Sequence, residues 1–246
     1  MAKQDKNDRQ AKLDAIRKEQ KAASRRGNAM IIGVSGTLGL LIIGAAAWKP
    51  ITDSLDKREY RAKDLSSIGA KANVCGEITT KPAEGESDHV APGTELKYPD
   101  SPPAFGRHYE SWDTNFGRKF YDAADRPDLG YLVHNLEHGY TVLWYDETIA
   151  EDEAKLATVK GLAAKFSGDS DDMRNKFKAV PWTSEDGEAF PEGQHVALTH
   201  WSRGGAKVDE PSYTGVWQYC SEPSGEALES FMKEYPYMDS PEPMAG

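Results

Sequence analysis

Two histidines and a carboxylate occur close together as His134, Glu137 and His138. If residues 129–138 form about two turns of helix, the two imidazoles lie one above the other on one face, close enough to share a metal ion. An isolated pattern of this kind is also typical of a polar helix end packed beside a core strand, and that alternative stays open.

Residues 134–138 also satisfy the H-x-x-E-H pattern of the inverted zinc peptidases, in which the glutamate is the general base. Those enzymes place the motif inside a long helix. Here Gly139 suits a left-handed helix end, and the β-branched and aromatic run over 140–145 predicts a buried strand. No third ligand stands out downstream, so a metallopeptidase is the least favoured of the functions considered.

The remaining histidines fall into two classes. His89 and His108 lie in a segment rich in proline and glycine, whereas His195 begins a predicted strand and is expected to be exposed. His200 shares a strand face with apolar residues and is predicted to be a hydrogen-bonded core histidine. Imidazoles with a carboxylate and no free thiolate suit Cu(II) or Zn(II). The predicted metal ligands are His89, His108, His134, His138 and Glu137.

The chain has two cysteines, Cys75 and Cys220. In an oxidising compartment the simplest arrangement is one disulfide, which in the chain-entropy model would contribute on the order of 4–5 kcal/mol. Two buried free thiols are the alternative.

Charge is unevenly distributed along the chain. Residues 1–28 carry nine Lys/Arg against four acids, although the whole chain has a net charge of −10. The acidic remainder argues against nucleic acid as a partner. The uncharged stretch 29–48 is about long enough to cross a ~30 Å hydrocarbon core, and the basic residues before it predict a cytoplasmic N-terminus. A cleaved signal peptide ending near 45–47 is the alternative.

The rest of the chain predicts an α+β domain with a small mixed sheet and helices packed on one face. A capping box at Thr148–Glu151 predicts one helix to about Phe166, and a last helix is expected near 222–235. The predicted organisation is a cytoplasmic charged tail 1–28, a transmembrane helix 29–48, a juxtamembrane stalk 49–73, an extracytoplasmic α+β domain 74–235 that begins with a proline-rich wrapping segment, and a loose tail 236–246.

Several short motifs occur in order with a familiar spacing: Asp88-His89-Val90, Tyr98-Pro99, Pro102-Pro103-x-x-Gly106-x-His108-Tyr109, Val133-His134-x-Leu136-Glu137-His138-Gly139-Tyr140, Val142-Leu143-Trp144-Tyr145 and Val196-Ala197-Leu198-Thr199-x-Trp201. Over about 74–235 the sequence resembles the membrane-anchored bacterial domain of unknown function 3105. The resemblance implies a membrane segment, an extracytoplasmic domain and functional histidines at the four predicted ligand positions. Where that family has Thr, Ser and Pro, this chain has Ala104, Phe105 and Arg107, so it lacks the hydroxyl pair.

The leading hypothesis from the sequence is a single-pass cell-membrane protein whose outer domain binds copper or zinc and acts in metal handling or in an envelope complex, without hydrolase activity. A purely structural or interaction module with an envelope protein partner is the alternative.

Overall fold

The computed structural model describes residues 12–13, 17–21, 58–83, 87–167 and 172–245. Residues 1–55 and 56–246 form two separate units. The short described pieces of the first unit are helical and exposed. The transmembrane helix predicted over 29–48 lies outside the described residues. Within the described ranges, no helix is both long and apolar enough to cross a membrane.

The second unit contains a five-stranded mixed sheet and a separate two-stranded pair. The strands are β1 (Thr79–Pro82), β2 (His89–Val90), β3 (His108–Tyr109), β4 (Thr141–Tyr145), β5 (Phe177–Pro181), β6 (Val196–Ser202) and β7 (Thr214–Cys220). The large sheet has the order β1-β7-β6-β4-β5, in which only β4 and β5 are parallel. The prediction of an α+β domain with a mixed sheet is confirmed.

The helices are α1 (Leu129–Glu137), α2 (Glu147–Glu151), α3 (Glu153–Lys165) and α4 (Gly225–Glu234). The predicted single helix from Thr148 is wrong, because the chain breaks at Asp152, which leaves the helical region of φ and ψ. Asp146 caps α2 and Asp152 caps α3 through their carboxylates, so the capping box does not form. Short aspartate side chains compete for backbone N–H groups and thereby start new helices.

Helices cover both faces of the sheet, which corrects the expectation of one covered face. Strand β4 is buried on both sides and alternates between two cores. Leu143 and Tyr145 pack with α2, α3 and α4, whereas Val142 and Trp144 pack with α1. The continuous burial of β4 follows from this double cover.

The predicted disulfide is present between Cys75 and Cys220. It fastens the start of the proline-rich segment to the end of β7, as the sequence indicates. Further along, that segment is held by the Trp217 indole, which donates to the Pro102 carbonyl at 2.7 Å, and by the Tyr219 hydroxyl. The wrap is therefore anchored along one strand.

Two segments are expected from the sequence to stand apart from the domain, but both pack against it. Part of the predicted stalk does so, because Ile68 is buried and the Lys165 ammonium donates to the Arg61 carbonyl. The tail predicted to be loose is also packed, with Asp239 and Ser240 almost fully buried. The Asp239 carboxylate accepts bonds from the Ser202 hydroxyl and from two backbone N–H groups of the loop after β6.

Candidate metal centre

The pair of short strands brings the first two histidines together. Strands β2 and β3 are parallel, and their register places His89 opposite His108. The backbone N–H of Glu110 donates to the Val90 carbonyl at 2.9 Å and continues this ladder. The two imidazole centroids are 4.4 Å apart. Backbone pairing, and not proximity in the sequence, makes these residues neighbours.

Helix α1 supplies the next two side chains. Gly130 lets this helix approach β3 closely, since a Cβ there would lie 2.8 Å from the Tyr109 ring. At this approach the His134 and His108 rings are 4.8 Å apart. Glu137 follows one helical turn later and points at the same centre. We call the resulting cluster the inner group, and it consists of His89, His108, His134 and Glu137. One ligand atom from each member lies within 4.8 Å of all the others.

Backbone carbonyls orient two of the rings. Nδ1 of His108 is 2.8 Å from the Gly106 carbonyl, and Nδ1 of His134 is 2.5 Å from the Tyr109 carbonyl. A nitrogen facing a carbonyl must carry the proton, so each neutral ring presents the lone pair of its Nε2 to the centre. Carbonyl contacts of this kind fix the tautomer of metal-binding histidines in other proteins.

The Nε2 atoms surround one carboxylate oxygen. Oε2 of Glu137 is 2.9 Å from Nε2 of His108, 3.5 Å from that of His89 and 4.0 Å from that of His134. Ligands about 2.0–2.1 Å from a tetrahedral ion lie about 3.3 Å from one another. The observed spacings bracket that value, so the residues fit a single transition-metal ion.

Burial keeps His134 in the charge state that suits a metal. Desolvation lowers the pKa of His134, with a smaller contribution from His108. The His134 imidazole therefore resists protonation and keeps its lone pair for a metal ion.

Two ligand atoms of the centre lack partners. Nε2 of His108 and Oε2 of Glu137 are fully buried, and neither makes a hydrogen bond of acceptable geometry despite their 2.9 Å separation. Buried polar atoms are nearly always satisfied in native proteins. A cation between these two lone pairs would satisfy both.

His138, the fourth predicted histidine ligand, lies beside the inner group. Its Nε2 is 3.0 Å from Nε2 of His134, yet it belongs to a second cluster. We call this the outer group, and it consists of Glu137, His138 and Glu242. Burial and, to a smaller extent, the neighbouring His134 together lower the pKa of His138 to about 3.

Glu137 does not stand apart from the histidines, as the free base of the inverted-peptidase arrangement would. In that arrangement both histidines of the motif bind one ion, and the glutamate stays free as a base. Here Glu137 lies at the shared point of both groups, and α1 ends at that residue with His138 as its C-cap.

Two indole rings line one side of the site. The Trp112 ring is 4.8 Å from the His138 ring, and Trp201 lies 5.8 Å from His108. Next to Trp112, the Asp113 backbone is fixed by the Asn135 side-chain amide, whose oxygen accepts its N–H at 3.2 Å. These rings exclude water from one side of the centre, while the His89 side chain remains 42% exposed.

The other two histidines stay outside the cluster. The His200 ring is fully buried between the carbonyls of Tyr140 and Asp239, so the prediction of a core histidine is confirmed. His195 is only partly exposed and pairs with Asp146 at 2.8 Å. Sequence reasoning missed Glu242 and Trp112, because neither lies in a motif with the histidines.

Comparison with known proteins gives one family. The family described as "Protein of unknown function (DUF3105)" matches residues 89–246. No curated protein matches the chain, and no solved structure does. The matched region includes every residue of the inner and outer groups.

Proposed function

Because the chain belongs to the DUF3105 family, whose function is unknown, we propose a function from the centre itself: the inner group binds one transition-metal ion, copper or zinc. The observation that carries this proposal is the pair of buried, unpartnered atoms on His108 and Glu137. The four-ligand set contains three imidazoles and a carboxylate, which suits Zn(II) and Cu(II) better than Mg(II) or Ca(II).

We propose that the protein handles a metal ion and does not catalyse hydrolysis. The three rings and the carboxylate fill a four-coordinate ion, which leaves no open position for an activated water. His89 is the one exposed ligand. It therefore offers a route by which the ion enters and leaves, as a protein that stores or passes on a metal requires.

We further propose that residues 29–48 anchor the chain in the cell membrane and that the metal-binding domain lies outside it. The disulfide supports this location, since such bonds persist in oxidising compartments. Protease added to intact cells should then digest residues beyond about 50 and spare the N-terminal tail. Protection of the whole chain would contradict the proposed topology.

The metal proposal is tested on the full chain in detergent. After chelation and dialysis, titration calorimetry with Zn²⁺ and with Cu²⁺ should show tight binding. Removal of a residue that orients a ligand typically costs about 10–100-fold in affinity, so loss of a ligand itself should cost at least that much. We expect this loss in His108→Ala and His134→Ala. His195→Ala is the matched control and should bind as the unaltered chain does. Absence of binding, or equal losses in all three variants, would overturn the proposal.

A further inference from the structure

The outer group has ligand atoms that the inner group does not use. Nε2 of His138 is 3.5 Å from Oε2 of Glu242, and both lie within 4.8 Å of a Glu137 oxygen. Four atoms of the inner group already fill a tetrahedral ion. His138 and Glu242 therefore remain available for something else.

Glu242 is held in place although its side chain is 53% exposed. Its backbone N–H donates to the Glu137 carbonyl at 3.0 Å. The residues that follow are pinned by the buried Lys176 ammonium, which donates to the carbonyls of Pro243 at 3.0 Å and Ala245 at 2.7 Å. The third bond of that ammonium goes to the His138 carbonyl at 2.7 Å.

Glu137 and His138 thus each have two roles, one for the side chain and one for the backbone carbonyl. Glu137 and His138 offer side-chain ligand atoms, and their carbonyls fix the tail segment that carries Glu242. A tail that was merely solvated would not be held by hydrogen bonds at Glu242 and again at the residues after it. The Glu137 carboxylate, which belongs to both groups, is buried.

We propose that Glu137, His138 and Glu242 form a second site for a divalent transition-metal cation, adjacent to the first and joined to it by Glu137. The two oxygens of a carboxylate can bind two ions, and paired ions in proteins lie about 3.5–4 Å apart. This inference rests on the proposed function, because the bridging carboxylate belongs to both sites. The exposed Glu242 makes the outer ion the weaker and faster-exchanging of the two.

Stoichiometry tests the second site. The metal-free full chain is titrated with Zn²⁺, and bound zinc is measured after equilibrium dialysis. We expect two ions per chain in two steps. Glu242→Gln should abolish the weaker step and leave the affinity of the tighter one unchanged. Glu192→Gln, which alters another exposed acid, is the control and should keep both steps.

The outcomes separate this inference from the proposed function. One ion in the unaltered chain, or two ions in Glu242→Gln, overturns the second site and leaves the first standing. If no ion binds, both the first and the second site are overturned. Copper(II) tests the bridge: the second equivalent should weaken the paramagnetic resonance signal of the first through spin coupling. A signal that simply doubles would mean two unlinked ions and would overturn the shared carboxylate.

Discussion

Replacing Glu137 by glutamine should make the metal-free protein more stable while it weakens metal binding. Glutamine has the shape of glutamate but no charge, and its amide can donate a hydrogen bond. His108 presents a buried, unpartnered Nε2 at 2.9 Å from the carboxylate oxygen. The substitution therefore supplies a donor where two acceptors now face each other.

The magnitude follows from the two unsatisfied atoms. A buried polar group without a partner costs about 1–3 kcal/mol. Glu137→Gln should recover that amount, which in a domain of this size raises the unfolding midpoint by about 2–4 °C for each kcal/mol. The unaltered chain should instead gain about 2.7 kcal/mol when free metal is present at about 100 times its dissociation constant. Glu137→Gln should gain much less, so that added metal should stabilise the unaltered chain more than it stabilises the variant.

Thermal unfolding followed by circular dichroism, with chelator and then with Zn²⁺, measures both effects. Glu185→Gln removes an exposed acid and should not change either midpoint. The reasoning is refuted if the metal-free Glu137→Gln chain is the less stable one. That result would mean that His108 carries a second proton and pairs with Glu137, because breaking a buried ion pair costs about 3–5 kcal/mol.

Three further predictions concern the frame around the centre. Replacing Cys75 and Cys220 by serine should lower the free energy of unfolding by about 5 kcal/mol in urea titrations, and an unchanged midpoint would contradict the entropic role of the disulfide. Burial lowers the pKa of Lys119 to about 7. Between pH 7 and about 10.5 the unfolded chain therefore binds a proton at this side chain more often than the folded chain does. The free energy of unfolding should rise with pH over that range. Lys119→Met should make that rise shallower, whereas an unaltered slope would show that other groups cause it. Gly130→Ala should cost about 1–3 kcal/mol by overpacking and weaken metal binding, while Gly76→Ala, which meets only an ordinary contact, should do neither. Equal effects of the two alanines would refute the close-approach argument.

Local sequence patterns were enough to predict the central elements. The glycine after His138 marks the end of helix α1, and the β-branched and aromatic run that follows predicts strand β4. Gly139 has a φ of +89°, as the predicted left-handed helix end requires. These features depend on residues within a few positions of one another, and that is the range over which a single sequence is informative.

Strand β1 could not be found in this way. Its four residues, Thr79–Pro82, are all exposed, so they carry no alternation of apolar and polar side chains. The strand exists because the edge of β7 is available to pair with it. The ordered tail has the same origin, since Lys176 holds it through backbone carbonyls that have no sequence signature.

The candidate site was predictable in composition but not in arrangement. Residue types singled out the helical pair and indicated loop histidines as partners. The division into two groups depends on the β2–β3 register and on the docking of the tail beside α1. Both are long-range contacts, and for that reason Glu242 could not be distinguished from the many other acids of the chain.

The domain can complete its sheet only after β7 is available to pair with β1. Thr79 is hydrogen-bonded in register with Trp217, so nearly the whole domain must be synthesised before the first strand finds its partner. Contacts over such long stretches of chain slow folding to milliseconds or seconds. During that interval the thiol of Cys75 has no native partner and is exposed to cysteines of other chains. The native disulfide between Cys75 and Cys220 can therefore form only after the last strand has emerged.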